Sequence, residues 1–416
     1  MPATAAAAPD VDLSQAGPLG NEILRQLDRV REHEGVHWSP ASQCWIVTRH
    51  SELTRALRGE LPLSCDRLVA VTFAGVPVEE RVKRYPNIMR YMPNWIIDLD
   101  PPDHTRLRKL LMAAFNRRVV ESIRPFVQQR VRTLMDRLEA QPTIEFNEQI
   151  ARQLPGSVIL KLLGLPPEHI GRLRAWSNAF MEAVAVPGVS HTALQAFEDA
   201  MAEMNTILTA EIEKRKPQPQ EDLLTELVRA NEEGDALSLD EMLGALHVLV
   251  VAGHDTTSNT MTMGLGTLIE HPEAWDYMYR HPDRILESVM ELMRHMSMAT
   301  SQPRFATQDF EWAGQSIKRG QMIFLMLAAG NRDPRVFADP LKLDLTRPND
   351  RSLTFAPGLH YCIGHLLAKM QVCEFFLELT KRFERAELLD PKWDFMPQIA
   401  FRGLYQLNVR MHPRAA

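Results

Sequence analysis

The feature that most constrains this fold is a proline-free, helix-forming run from Leu239 to Glu270. It opens on Ser238-Leu239-Asp240-Glu241, a capping box in which the serine and glutamate side chains each accept the other residue's backbone N–H, and it ends before Pro272. A helix over this run is roughly 48 Å long at about 1.5 Å per residue and must cross the molecule. In its middle lies Val250-Val251-Ala252-Gly253-His254-Asp255-Thr256-Thr257. Polar groups in an otherwise apolar buried helix need partners, and Gly253 weakens the helix by about 1 kcal/mol relative to alanine. A threonine that bonds back to the carbonyl four residues earlier accounts for the threonines but not for Asp255.

A second constraint is Phe355-Ala356-Pro357-Gly358-Leu359-His360-Tyr361-Cys362-Ile363-Gly364, followed by Leu366-Leu367-Ala368-Lys369-Met370. One cysteine stands where a Gly/Pro-rich loop becomes a helix, so the first free N–H groups of the helix point at the sulfur and favour thiolate over thiol. Such a thiolate is either a nucleophile, with His360 as candidate base, or a metal ligand. A structural zinc needs more ligands at short spacing, and only Cys373 is near. An inert buried thiol is the bland reading.

Two further segments carry charge. Asp98-Leu99-Asp100-Pro101-Pro102-Asp103-His104-Thr105-Arg106-Leu107-Arg108 leads into a helix on which His104, Arg108, Leu111 and Phe115 share a buried stripe. Two cation-capable groups facing inward need an anion, although a half-buried histidine and a surface arginine is the ordinary alternative. Glu291-Leu292-Met293-Arg294 is an i, i+3 pair, worth a few tenths of a kcal/mol if it is merely exposed.

Taken in order, these four segments resemble the cytochromes P450. Phe355, Gly358, His360, Cys362 and Gly364 fall on the family's haem loop, Phe-x-x-Gly-x-His/Arg-x-Cys-x-Gly. Residues 252–257 are similar to its Ala-Gly-x-Asp/Glu-Thr-Thr motif, and residues 100–108 to its Asp-Pro-Pro-x-His-Thr-x-x-Arg run. Glu291 and Arg294 match its Glu-x-x-Arg. Asn331-Arg332-Asp333-Pro334 and Phe337-x-Asp339-Pro340 resemble the approach to the haem loop, with one departure. Pro340-Leu341-Lys342-Leu343 stands where many relatives have Pro-x-Arg-Phe, and lysine cannot replace a bidentate arginine; Arg347 is the candidate to complete the Glu291/Arg294 network. Ala356 in place of a more frequent glycine is a smaller departure.

The resemblance implies a mainly α fold with a small β region, a single cytochrome P450 domain over residues 16–416 behind a disordered tail at 1–15, and haem b as cofactor. It implies Cys362 as the axial thiolate on iron, pushing electron density that favours O–O cleavage. Phe355 would pack on the sulfur side, and Gly358 and Gly364 would let backbone approach the ligand. His104, Arg108, Arg304 and His360 would meet the propionates. Ala252 and Gly253 would lie against the haem, Gly253 opening a groove for dioxygen, while Asp255 and Thr256 deliver protons to the distal oxygen. Val248, Val251, Ala252, Met298 and Phe401 would face the substrate; His254 is given no role.

The implied reaction inserts one oxygen atom of O2 into a C–H or double bond of a small to medium apolar molecule, with two electrons and two protons supplied and the second oxygen leaving as water. Electrons would come from a separate ferredoxin and ferredoxin reductase, docking around the Cys362 loop with Arg106, Lys109 and Lys369 as contacts. The expected pocket segments, Phe73 to Met92, Met296 to Ser301 and Gln398 to Arg402, contain several Met and Phe, which suggests an adaptable apolar site. Two other readings are a peroxygenase on the same haem, against which Asp255-Thr256 argues, and a non-enzymatic haem carrier or sensor.

Composition sets outer bounds. Of 416 residues 45% are hydrophobic and 24% charged, and the net charge of −6 excludes nothing but a basic nucleic-acid binder. No apolar run is long enough for a membrane span, and four cysteines without framework spacing suit a reducing cytoplasm. A cytoplasmic monomer is expected. Earlier in the chain, residues 19–35 read as a helix with Ile23, Leu24, Leu27 and Val30 on one face, followed by a hairpin from Val36-His37-Trp38 to Cys44-Trp45-Ile46-Val47. Residues 63–92 read as a long irregular segment, 119–140 and 163–215 as helical, and Pro187-Gly188 as a break suited to a mobile lid.

Overall fold

The proline-free run folds as expected into one unbroken helix, Leu239–Glu270, with its capping box formed. Glu241 N donates to Ser238 Oγ at 3.2 Å and Ser238 N donates to Glu241 Oε2 at 2.8 Å. The helix is apolar nearly all round because other helices cover it on several sides, among them Gln153–Leu162, Ile170–Val184, His191–Arg215, Ile285–Met296 and His365–Arg382. This computed structural model describes residues 10–184, 189–232, 237–390 and 392–415. The Pro187-Gly188 break, expected as a lid, lies outside the described residues.

The β region is small. The hairpin pairs Val36–Ser39 with Cys44–Val47 in antiparallel register, Trp38 opposite Trp45. Cys44–Val47 then runs parallel to Met322–Leu325, which pairs antiparallel with Gln302–Ala306, and Leu63–Ser64 closes the edge of this five-stranded sheet. Thr143–Glu145, Asn408–Pro413 and Phe383–Leu388 form a second sheet. The helix Glu22–His33 buries Ile23, Leu24, Leu27 and Val30, as their spacing requires.

Three details differ from expectation. Packing begins before residue 16: Val11 and Leu13 are buried, and the Val11 carbonyl accepts from the Ser39 and Ser42 hydroxyls. The segment 63–92 holds short helices, Val78–Arg84 and Pro86–Tyr91 among them, because Pro77 and Pro86 stand at helix starts, where a missing N–H costs nothing. The helical stretch 119–140 is divided between Arg117–Ser122 and Arg124–Ala140, with Pro125 in the first turn of the second. Among the described residues no helix is long and apolar enough to cross a membrane.

Candidate active site

The loop before the helix His365–Arg382 folds back so that Cys362 N donates to Phe355 O at 3.1 Å. Gly358 is required here by the protein rather than by a ligand. A Cβ on it would stand 2.0 Å from the Leu57 carbonyl oxygen, to which the Leu359 N–H donates at 3.0 Å. Gly364 fits the expected role better, since a Cβ there would face the Cys362 sulfur at 4.0 Å. The expected preference of Cys362 for thiolate is reversed in the protein alone. Burial pushes the thiol up, and the Gly364 N–H with the charges of Arg108 and Lys369 only partly offsets it. A sulfur at this depth becomes anionic by binding a metal cation.

Cys362 opens on a cavity enclosing about 1620 Å³ of atom-free space, part of it open to solvent. Phe355, Ile363 and Gly364 flank the sulfur, and Val248, Leu249, Ala252, Gly253 and Thr256 of the long helix form the facing wall. His104, Arg108 and His360 lie at its edge, and no Asp or Glu is among the described lining residues. His104 is 2% exposed and neither of its ring nitrogens meets a partner. Its ring packs on His360 at 4.2 Å, while Arg108 donates to Tyr361 O at 2.7 Å and pairs with no carboxylate among the described residues. Burial and the Arg108 charge push His104 below its ordinary value; burial, with Arg304, His104 and Arg108, pushes His360 down to about 3. A buried orphan imidazole beside an unpaired guanidinium fits an anionic group, and the two carboxylates of haem b, with its iron at Cys362, suit this donor set.

Two residues expected at that edge behave differently. His360 Nε2 lies 3.1 Å from Cys65 Sγ, so one imidazole nitrogen is held by a thiol no sequence motif marked. Arg304 is not among the lining residues. Its guanidinium donates to Pro303 O at 2.7 Å and Gln302 Oε1 at 3.0 Å, partners on its own strand.

The long helix lines the cavity with one face: Ala245, Leu246, Val248, Leu249, Ala252, Gly253, Thr256, Thr257 and Thr260. Val251 was expected here and is not. At about 100° per residue it points away from this face, and it is buried at 2% exposure in the core, with Leu249 taking its place. Thr256 Oγ1 donates to Ala252 O at 2.6 Å and leaves its lone pairs towards the cavity. Gly253 lines the cavity, and a Cβ on it would stand 3.0 Å from Ile159 Cδ1. Asp255 does not line it. Its Oδ1 accepts from Arg152 Nη2 at 2.9 Å and His254 Nδ1 at 3.0 Å, and its Oδ2 accepts from Ser177 at 2.6 Å. Burial works against ionisation, yet His254, Arg152 and Ser177 hold Asp255 below the usual carboxylate value.

Met298 and Phe401 line the cavity as expected, their segments joined by an isolated bridge between Ala299 and Phe401. Residues 73–92 do not, because Phe73 and Tyr85 turn inward and pack ring against ring at 5.6 Å. Ile96, Ile97, Leu223 and Leu227 serve instead; the i, i+4 spacing of the last two marked an apolar face but not its target. Aliphatic side chains dominate, with Met293 and Met298 the only methionines among the described lining residues.

Beside the cavity, Glu291 and Arg294 are both fully buried, with Nε–Oε2 at 2.7 Å. Arg347 Nε reaches Glu291 Oε1 at 3.1 Å, while Lys342 contributes only its carbonyl, at 3.5 Å from Arg294. Of the three cations expected on the docking face, Arg106 pairs with Glu241, Lys369 sits half-buried over the Phe355 ring at 5.1 Å, and Lys109 is exposed.

Comparison with known proteins agrees with this geometry. The family described as Cytochrome P450 matches residues 187–402. The chain is 33% identical to 6-deoxyerythronolide B hydroxylase of Saccharopolyspora erythraea, over 88% of this chain and 90% of that one. It is 30% identical to linalool 8-monooxygenase of Pseudomonas putida, over 93% and 95%. The solved structure of the Bacillus subtilis bacillaene polyketide synthase cytochrome P450 PksS superposes with a TM-score of 0.84 at 30% identity, covering 96% of this chain and 99% of that one.

Proposed function

The chain belongs to the cytochrome P450 family of haem b monooxygenases, and on that premise we propose that it inserts one oxygen atom of O2 into a neutral, apolar molecule of small to medium size, by hydroxylation or epoxidation. When bound, haem b supplies the redox-active iron that activates dioxygen. Cys362 would ligate that iron, and His104 and Arg108, with His360 beside them, would neutralise the propionates. Arg304 could join them by leaving its local carbonyl and amide partners.

On the opposite wall, Ala252 and Gly253 leave room beside the Thr256 hydroxyl. Thr256 Oγ1, whose own proton lies on the Ala252 carbonyl, would accept a proton beside the reacting space and pass it on, and Asp255 lies one residue away as the acid that supplies it. The stripe Val248, Leu249 and Ala252, with Met298 and Phe401, would orient the substrate and exclude water. Relatives are named for linalool and for 6-deoxyerythronolide B; the absence of any carboxylate among the described lining residues argues against a cationic substrate, and the aliphatic distal wall, with the basic groups of the edge taken up by the propionates, supports an apolar one here. A ferredoxin and its reductase would deliver the two electrons to the face around Cys362, with Lys109 the exposed cation there, in a cytoplasmic monomer.

The observation that carries this reading is Cys362 facing Thr256 across a cavity whose edge holds the unpaired His104 and Arg108. Its test is the absorption spectrum of the dithionite-reduced protein under carbon monoxide. A strongly red-shifted Soret band, lost in Cys362→Ser, is expected; a CO complex without that shift would overturn the assignment of Cys362.

A further inference from the structure

His254 is fully buried, directly precedes Asp255, and is given no part by the acid–alcohol chemistry above. Its two ring nitrogens meet two groups that can only accept. Nδ1 is 3.0 Å from Asp255 Oδ1, a carboxylate that also takes the Arg152 guanidinium at 2.9 Å and the Ser177 hydroxyl at 2.6 Å, and Nε2 is 3.2 Å from the Arg152 backbone carbonyl. A neutral imidazole has one N–H and could satisfy only one of them. The other buried histidines contrast with this. His37 and His247 each leave a ring nitrogen without a partner, and His104 leaves both.

The fold also makes room for this ring. Gly156 packs the helix Gln153–Leu162 closely here: a Cβ on it would meet Ile170 Cδ1 at 2.5 Å and approach His254 Cδ2 at 3.3 Å, so a side chain would crowd the imidazole. The surrounding charges form one chain: Arg174 pairs with Glu148, Glu148 lies 3.7 Å from Arg152 Nε, and Arg152 pairs with Asp255. Ser177 and Asn178 complete the polar surroundings from the helix Ile170–Val184.

We propose that His254 carries both ring protons in the folded protein and that this imidazolium, with the Arg152 guanidinium, holds Asp255 as a carboxylate turned out of the cavity, which makes His254 a positioning residue for proton delivery. The inference rests on the reading of Asp255 and Thr256 as the proton-delivering pair. The release step is a single proton transfer. The Nδ1–H bond of His254 breaks and an Oδ1–H bond forms on Asp255, leaving a neutral imidazole and a carboxylic acid with no change in electron count. Both ion pairs of Asp255 are thereby weakened, freeing the acid to turn towards Thr256. Solvent returns the proton through Asp255, whose side chain is 14% exposed.

The test uses the whole holoprotein with ring-15N histidine, in the diamagnetic reduced CO form at neutral pH. His254→Gln identifies the His254 signals by their loss. Both nitrogens are expected at protonated positions, collapsing to one in Asp255→Asn, where the partner can itself donate. One unprotonated nitrogen in the parent protein, or no change in Asp255→Asn, overturns the proposal. With surrogate ferredoxin and reductase, His254→Gln is expected to lower product formed per NAD(P)H several-fold while leaving the substrate-induced spin-state titration in place; an unchanged ratio likewise overturns it. The CO spectrum of the same samples separates this from a failure of the haem-thiolate reading, which would remove the red-shifted band in the parent protein itself.

Discussion

Arg347 Nε lies 3.1 Å from Glu291 Oε1, the same oxygen that Arg294 Nη2 reaches at 2.8 Å, so one buried carboxylate holds two guanidiniums. Arg347 also donates to the carbonyls of Ala338 at 2.6 Å and Asp339 at 3.3 Å, which ties the approach to the Cys362 loop onto the helix Ile285–Met296. Removing one member of a buried ion network leaves the others uncompensated, typically a loss of about 3–5 kcal/mol. Arg347→Ala should lower the urea midpoint and the haem content per chain. Arg347→Lys should recover only part of either, because an ammonium cannot span three acceptors in a plane.

The phase of the long helix predicts opposite outcomes for neighbouring residues. Leu249→Phe fills part of the cavity and should weaken the substrate-induced spin-state shift several-fold with little change in thermal midpoint. Val251→Ala removes two buried methyl groups from the core and should cost on the order of 2 kcal/mol in stability while leaving substrate affinity unchanged. A substrate titration of both variants decides it; altered affinity in Val251→Ala alone would contradict the placement.

Gly358→Ala should disturb the cysteine loop without touching the cavity. The added methyl meets the Leu57 carbonyl oxygen at 2.0 Å, on backbone at φ +150°, so either the loop or the helix His50–Leu57 must move. A loss on the order of 3 kcal/mol is expected, read as a lower urea midpoint and faster haem transfer to apomyoglobin. Gly364→Ala, with only the Cys362 sulfur nearby, should perturb the haem spectrum with a smaller loss of stability.

Asp98 gives the fold a pH dependence. Burial pushes its carboxyl up to about 6; Arg67 Nε stands 2.8 Å from one oxygen, but the other has no partner. The unfolded carboxyl titrates near 3.8, so between that value and 6 the folded state binds the extra proton. This contribution is fully present below pH 3.8 and is lost as pH rises through about 6. Urea midpoints of Asp98→Asn and the parent protein, followed from pH 4 to 7, should show the slope in the parent and a flatter profile in the variant.

The sequence by itself determined the elements whose causes are local. The Leu239–Glu270 helix follows from a capping box and the absence of proline, and the cysteine's place at a helix start follows from the glycines and proline before it. Spacing also placed His104 and Arg108 on one stripe, because helical geometry fixes which residues share a face. Arg347 was legible as a candidate only because Lys342 broke the pattern.

Only the tertiary structure decided how those elements face one another. A helix that is apolar nearly all round carries no mark of which stripe borders a cavity, so Val251 and Leu249 were interchangeable until the surrounding helices closed on one side. Asp255 was identifiable as a buried acid, but its direction depends on Arg152 and Ser177, which lie 103 and 78 residues away. Gly358 was marked by its motif while its reason, the Leu57 carbonyl, comes from a helix three hundred residues earlier in the chain, a separation that packing rather than local geometry must supply. Local propensity acts over a few residues, whereas the partners of a buried polar group are set by whichever distant segments the packing of the core brings to it.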